Sequence, residues 1–421
     1  MPQPLQGLCV IEVATGIQGP AVGLHFANMG ADVIKIEPPS GEINRYHRGI
    51  NNSLPEGAFG SQFVAVNKGK RSVCLDVHTE IGASALEKML VKADLLVSNY
   101  RAPALTRMGL DLTALTASYP RLVVGHANGF GPLGPDADKA MLDGAAQARG
   151  GLASLSGPEG GVPMPPGATV ADTAGAMLLA LACSTALITR SITGRGQLVQ
   201  TSSLGGQLWL QMWEIQHSAM TNTPLVRNGE HHPNISGPYG VYTTADDGAI
   251  LLVATMTEDA WSAFWIFVDR PEIVLREEWN TPAKRAGFAS VPENLDELRQ
   301  LTREAFQSKT TAQWEEFLRG QPETIWERVR GHEDVLTDPQ NLANDYIVDI
   351  DLPVSGRTKT VGSLMAFSDT PTGLPKTAPM LGQHTASILA DLGFTNAEID
   401  TATADAESTR GGMLGTLLDD D

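Results

Sequence analysis

A chain of 421 residues, 42% hydrophobic and only 19% charged, has enough apolar material for more than one packed core. Its formal charge of −18 excludes nucleic acid and anionic membrane as natural partners, leaving local gatherings of Lys and Arg as the places where a small polyanion would bind. Cys9, Cys74 and Cys183 stand far apart in apolar runs, without zinc spacing or a disulfide framework, and MPQPLQGLCVIEV lacks the basic start and apolar centre of a secretory leader. The expectation is a cytoplasmic protein with reduced thiols and no metal.

In chain order, Leu8–Val13 reads as a buried strand. Pro20 then suits the first turn of a helix that Gly30 would stop. Further strands are predicted at Val33–Ile36, Val73–Val77, Leu95–Ser98 and Leu122–Gly125, with helices such as Ile81–Val91 between them. This alternation is the mark of an α/β fold with a parallel sheet, whose binding loops lie at the C-terminal strand ends. Thr173–Ile188 is nearly devoid of polarity, and its longest apolar stretch, Ala174–Ile188, is short for a bilayer span, so a buried helix is expected.

Beyond Gln200 the texture changes. Leu204–Met220 reads as one long helix bearing Trp209, Met212 and Trp213, a spacing that fits an apolar acyl pocket and core packing alike. Tyr239–Thr244 and Ala249–Ala254 alternate as a hairpin about Asp246-Asp247-Gly248. A helical stretch over Asn294–Arg319 has Thr310 or Thr311 as a cap, and a last helix is expected at Ser387–Leu392 before a frayed tail from Asp405. The domain organisation that follows is a large domain beginning at 1–200, a linker helix at 201–227 and a smaller α+β domain at 228–325. A second linker at 326–337 precedes a return to the large domain at 338–421.

Several segments carry polar side chains where strands end. Ala14-Thr15-Gly16-Ile17-Gln18-Gly19-Pro20 opens a helix and reads either as a phosphate cradle or as a tight turn; it is not the GxGxxG of a dinucleotide site. Asn67-Lys68-Gly69-Lys70-Arg71-Ser72 gathers three cations before a strand, as a phosphate contact or as a solvated basic turn. Asn99, Tyr100, Arg101 and Arg107 follow another strand, and Tyr100 offers a face to a nucleotide base. Asp172 sits at the start of the apolar helix, as a plain N-cap or as a carboxylate held ionised by the helix dipole among small neighbours. His231-His232 is not spaced for a metal, and His126 reads as a satisfied polar residue.

Together these segments resemble the class III (family III) coenzyme A transferases, the group of formyl-CoA transferase and carnitine CoA-transferase. The likeness runs from LQGLCVIEVATGIQGPAVGLHFANMGADVIKIEPPSG through NKGKRSVCLDV, NYRAPALTRMGLD, GFGPLGP and LDGAAQARGGLASLSG. It continues in ATVADTAGA and TGRGQLVQTSSL and ends at APMLGQHTASILADLGF. The resemblance implies a Rossmann-like large domain with a smaller one, and two chains interlocked as a homodimer. It implies Asp172 as nucleophile, with coenzyme A contacts at Gln18, Lys70, Arg71, Asn99, Tyr100, Arg107 and Lys139. No permanently bound cofactor is implied; the substrates would be an acyl-CoA and a small carboxylic acid, whose identities these motifs do not specify. Attack by a carboxylate on a thioester gives a mixed anhydride, which keeps the acyl group activated, whereas serine would give an ordinary ester.

Three departures stand out. Asn228-Gly229-Glu230-His231-His232 does not reproduce the glycine-run loop of formyl-CoA transferases, Pro38-Pro39 replaces a basic residue of some members, and Gln18 is one position off the family register. An α-methylacyl-CoA racemase on the same fold is the alternative. It needs a histidine after the GFG turn, and none occurs from Gly129 to Gly157. A coenzyme A-binding protein without turnover is the third reading.

Overall fold

The computed structural model describes residues 2–253, 256–373 and 376–418, with side chains as far as residue 408. The chain forms two compact units. The first comprises Met1–Gly150, Ala168–Leu210 and Leu336–Asp421; the second comprises Gly151–Gly167 and Gln211–Val335.

The first unit is built on a six-stranded sheet of β1 (Cys9–Val13), β2 (Asp32–Glu37), β3 (Arg71–Cys74), β4 (Leu95–Ser98), β5 (Val123–Asn128) and β6 (Leu198–Ser202). All pairings are parallel, in the order β3-β2-β1-β4-β5-β6. The strands are apolar runs because both faces are covered. Ile11, Ile34, Val73, Leu96 and Val124 pack into one core, while their neighbours Val10, Val33, Val97 and Val123 pack into another on the opposite face. The strand order reverses between β1 and β4, opening a crevice at their C-terminal ends. The sequence signal missed β6: it is an edge strand with Gln200 and Thr201 in its middle, and most of it is only half-buried.

The helices of this unit start with α1 (Gln18–Asn28), α2 (Ser61–Asn67), α3 (Glu80–Lys92), α4 (Ala102–Arg107), α5 (Leu112–Ser118) and α6 (Asp143–Arg149). After the short α7 (Leu152–Leu155) of the second unit comes α8 (Val170–Thr193). At 24 residues α8 is longer than expected and, by length and composition, apolar enough to cross a membrane. Its inner face instead joins a core, where Leu179, Ala180, Cys183 and Ala186 pack with Phe26 of α1 and with the sheet. Asp172 is not its N-cap. Thr169 holds that position without a side-chain hydrogen bond, and Asp172 is the third residue of the helix.

The expected long helix at Leu204–Met220 is broken at Gln211 into α9 (Ser203–Leu210) and α10 (Met212–Thr221), and the boundary between units falls at the break. In the second unit, β7 (Gly240–Thr243), β8 (Ala249–Val253) and β9 (Ile325–Arg328) form an antiparallel sheet. The first two strands make the expected hairpin; Ala254 lies outside the described residues. The predicted helix at Asn294–Arg319 is two helices, Pro292–Gln307 and Thr311–Arg319, the second capped by Thr310 in a reciprocal box with Gln313. A dense aromatic core of Trp261, Phe264, Trp265, Phe306 and Trp314 fills this unit.

The C-terminal part adds the hairpin β10 (Ile347–Leu352) and β11 (Gly356–Val361) and the helix Thr385–Asp391. Where a frayed tail was expected, Asn396–Leu418 is helical, and Ile399 and Ala402 join the core beside the sheet; residues 419–421 lie outside the described part.

Candidate active site

A cavity of about 340 Å3 opens at the C-terminal edge of the parallel sheet. The loop Thr15–Gln18 after β1, Asn99 after β4, His126 and Asn128 of β5, Gln200 of β6 and Asp172 of α8 line it. The first loop is held from several sides. Gly16 turns through a positive φ of 79° and donates its N–H to Glu42 Oε1 at 2.9 Å, while Asn99 exchanges hydrogen bonds with the backbone of Thr15 at 3.0 and 2.7 Å. Lys35 Nζ donates to the Ala14 carbonyl at 2.8 Å and Lys70 Nζ to the Pro20 carbonyl at 2.8 Å.

These two lysines belong to a buried network. Lys35 pairs with Glu12 (3.0 Å) and Glu42 (2.8 Å), Lys70 with Glu12 (2.6 Å), and Arg45 with Glu37 (2.6 Å). Three cations therefore face three carboxylates beneath the loop. Paired and hydrogen-bonded in this way, buried charges become tolerable and fix the backbone above them.

Asp172 is partly buried in the cavity wall. Ser203, the first residue of α9, donates its hydroxyl to Asp172 Oδ1 at 2.8 Å. The backbone N–H of Asp172 donates to Asp143 Oδ1 at 2.9 Å, so an acid from α6 closes the first turn of α8 in place of a local cap. Gln147 steadies that acid from one turn along, donating to its other oxygen and, at 3.1 Å, to the Ala168 carbonyl. Burial pushes the Asp172 pKa up, the Ser203 hydroxyl pulls it down, and the Asp143 charge raises it further. The result is a carboxylate more basic than an exposed aspartate, with Oδ1 hydrogen-bonded. Close backbone packing makes this possible: a Cβ on Gly206 of α9 would meet Gly175 N of α8 at 2.3 Å, and one on Gly175 would meet Gln18 Nε2 at 2.6 Å.

His126 also lines the cavity, with both ring nitrogens engaged. Nε2 donates to the Tyr100 carbonyl at 2.9 Å and Nδ1 accepts from Gln200 Nε2 at 3.1 Å. Burial lowers its pKa, although the Tyr100 carbonyl opposes the shift. It is a neutral structural histidine with a fixed tautomer, poorly suited to exchanging a substrate proton.

The predicted residues separate into two groups. Gln18, Asn99 and Lys139 line the cavity, as does Arg101. Tyr100 faces a smaller neighbouring cavity of about 210 Å3, walled by Pro38, Pro39, His78 and Met108 among others. Lys70, Arg71 and Arg107 are not among the cavity's lining residues. All three Lys70 ammonium protons have acceptors in Glu12, Pro20 and Asn67, leaving none for a phosphate. Arg71 opens β3 at the opposite end of the sheet, paired to Asp32. Arg107 is an exposed residue at the end of α4. The basic run at Asn67–Ser72 is therefore distributed rather than gathered, because Lys68 and Lys70 turn into separate interior environments. Ser203 and Asp143 escaped the residue-level reading because their partner in the structure lies about thirty positions away.

The sequence profile of CoA-transferase family III matches residues 5–385. A succinate–glutarate CoA-transferase of Agrobacterium fabrum is 29% identical over 92% of this chain and 96% of its own length. A formyl-CoA:oxalate CoA-transferase of Streptomyces avermitilis is also 29% identical, over 95% and 98%. The crystal structure of a CAIB/BAIF family protein from Brucella suis superposes with a TM-score of 0.81 at 27% identity, covering 93% of this chain and 100% of that one.

Proposed function

The chain belongs to CoA-transferase family III, and from that premise we propose that Asp172 is the nucleophile that carries CoA from an acyl-CoA to a small carboxylic acid. The observation that carries this reading is a partly buried carboxylate of raised basicity, in the first turn of a long helix, on the wall of a cavity at the sheet's C-terminal edge.

In this mechanism Asp172 attacks the thioester carbonyl. A carbon–oxygen bond forms, the carbon–sulfur bond breaks, and CoA leaves as thiolate, giving a mixed anhydride. The thiolate then attacks the aspartyl carbonyl and expels the donor acid, leaving an aspartyl-CoA thioester. The acceptor carboxylate attacks that thioester and again releases the thiolate, which takes the acceptor's acyl carbon and returns Asp172 as a carboxylate. Ser203 holds one oxygen and so directs the other at the substrate. Anhydrides hydrolyse readily, so the bound substrates must keep water out.

Asn99, Gln18, Arg101 and Lys139 are the contacts proposed for the thioester end and the phosphates of CoA; Tyr100 with Pro38-Pro39 would take the base in the neighbouring cavity. The relatives' equal identity across different acid pairs leaves the donor and acceptor to be found with a panel of acyl-CoAs and acids read by mass spectrometry.

The proposal extends to a homodimer of interlocked chains in the cytoplasm. Exposed apolar side chains support it: Leu181, Ile188 and Ile192 along α8, and Trp209 on α9. The free thiols of Cys9, Cys74 and Cys183 suit a reducing compartment. Sedimentation should return twice the 44.8 kDa chain mass.

The deciding experiment is Asp172→Ala, which should abolish CoA exchange, together with hydroxylamine added to wild type and acyl-CoA, which should leave a hydroxamate on Asp172. Wild-type turnover by the alanine variant would end the reading. Solvent deuterium should stay out of the α-position of a 2-methylacyl-CoA, since His126 has no free nitrogen to exchange a proton.

A further inference from the structure

Lys68 takes no part in the site around Asp172 and, unlike Arg71 of the same Asn67–Ser72 run, has no acidic partner among the described residues. It follows directly on α2, and its side chain is only 2% exposed. Nζ donates to Thr360 Oγ1 at 2.6 Å and to the Val361 carbonyl at 2.8 Å, both on β11. Both acceptors are neutral, and among the described residues Lys68 forms no ion pair, in contrast to Lys35 and Lys70 nearby in sequence and sheet. Burial alone brings its pKa to about 8, so it remains largely protonated in neutral solution. A buried ammonium without a carboxylate is costly and is ordinarily compensated by a counter-ion.

Lys68 lines a cavity of about 320 Å3, within the ~300–1,000 Å3 range of small-molecule pockets. Its other walls are largely apolar: Leu24 of α1, Ala176 and Met177 of α8, and Leu364 beyond β11. His25 is the other titratable group in the wall; burial lowers its pKa, so it is neutral at neutral pH, where Lys68 is largely charged. No wall residue is shared with the Asp172 cavity; Thr173 lines this one and Asp172 the other.

We propose that this second cavity binds an amphiphilic monocarboxylate, its carboxylate on Lys68 and its alkyl chain between α1 and α8. One cation at the edge of an apolar space selects that class: a dianion would leave a charge unpaired, and a neutral lipid would leave the ammonium uncompensated.

The test is calorimetric titration of octanoate into the full chain at neutral pH, with n-octanol as the uncharged counterpart. Octanoate should bind wild type, and Lys68→Met should weaken it by about tenfold or more, the loss of one charge-assisted hydrogen bond. Lys68→Arg should retain binding, and octanol should bind wild type about tenfold more weakly than octanoate. The Asp172→Ala chain should bind octanoate as wild type does, which separates this site from the proposed catalytic one. Equal octanoate affinity in wild type and Lys68→Met overturns the proposal. So does octanol binding as tightly as octanoate, a comparison that needs no variant to fold. Failure of wild type to bind millimolar octanoate also overturns it, and is the result expected if a second copy of the chain fills the cavity.

Discussion

At the scale of single residues, the Asp172 carboxylate is tuned by two neighbours with opposite signs. Ser203 stabilises the anion and Asp143 opposes it. Ser203→Ala should therefore move the acid limb of the pH dependence of kcat/KM upward, and Asp143→Asn should move it downward while the amide oxygen still accepts the Asp172 N–H. Shifts in the same direction would mean that another group sets the limb. The raised pKa also has a stability sign. The folded state binds the Asp172 proton more tightly than the unfolded chain does, so the stabilising contribution is present below the unfolded pKa and is lost as pH rises through the folded one. At neutral pH the buried anion is a net burden. Asp172→Asn should be inactive yet more stable, by the roughly 0.5–2 kcal/mol typical of single stabilising substitutions, read by denaturant unfolding. The placement of Asp172 near the start of an apolar helix, among Ala171, Ala174 and Gly175, was legible in the sequence. Its role as third helical residue was not, since the cap that would have marked the helix start is supplied by Asp143 from another helix.

At the scale of elements, the site depends on helices that approach backbone to backbone. Gly206→Ala would press a methyl group onto Gly175 N and Ala174 C, atoms that cannot rotate away. It should cost about 1–3 kcal/mol and lower kcat by displacing Ser203 from Asp172, measured by unfolding and steady-state kinetics. The loop after β1 has a different foundation. Glu12 pairs with both Lys35 and Lys70, so Glu12→Gln should destabilise the chain by about 3–5 kcal/mol, as expected when one partner of a buried pair is removed. The same contrast decided what the sequence revealed. Leu95–Ser98 was read with its observed limits because a strand buried on both faces is continuously apolar. Lys35 passes in the sequence as one residue of the strand Val33–Ile36, and Lys70 as a coenzyme A contact, because a one-dimensional pattern does not say which charges meet inside.

At the scale of the whole molecule, each unit has its own core, and the second is the more aromatic. Trp314 is fully buried there, stacked on Phe306 at 4.3 Å and donating to the Phe306 carbonyl at 2.9 Å. Trp314→Ala should cost about 3–5 kcal/mol, seen as a lowered melting transition. The second unit takes in Gln211–Val335 and also Gly151–Gly167, a detour that left no mark in the sequence, being a Gly- and Pro-rich stretch without periodicity. The six buried charges beneath the loop sum to zero, so they supply none of the chain's −18. Mutational drift can therefore recolour the outside of the molecule one position at a time. These six positions are a closed set: a lineage that loses one member must change an oppositely charged one with it, and relatives should differ there by matched exchanges or not at all.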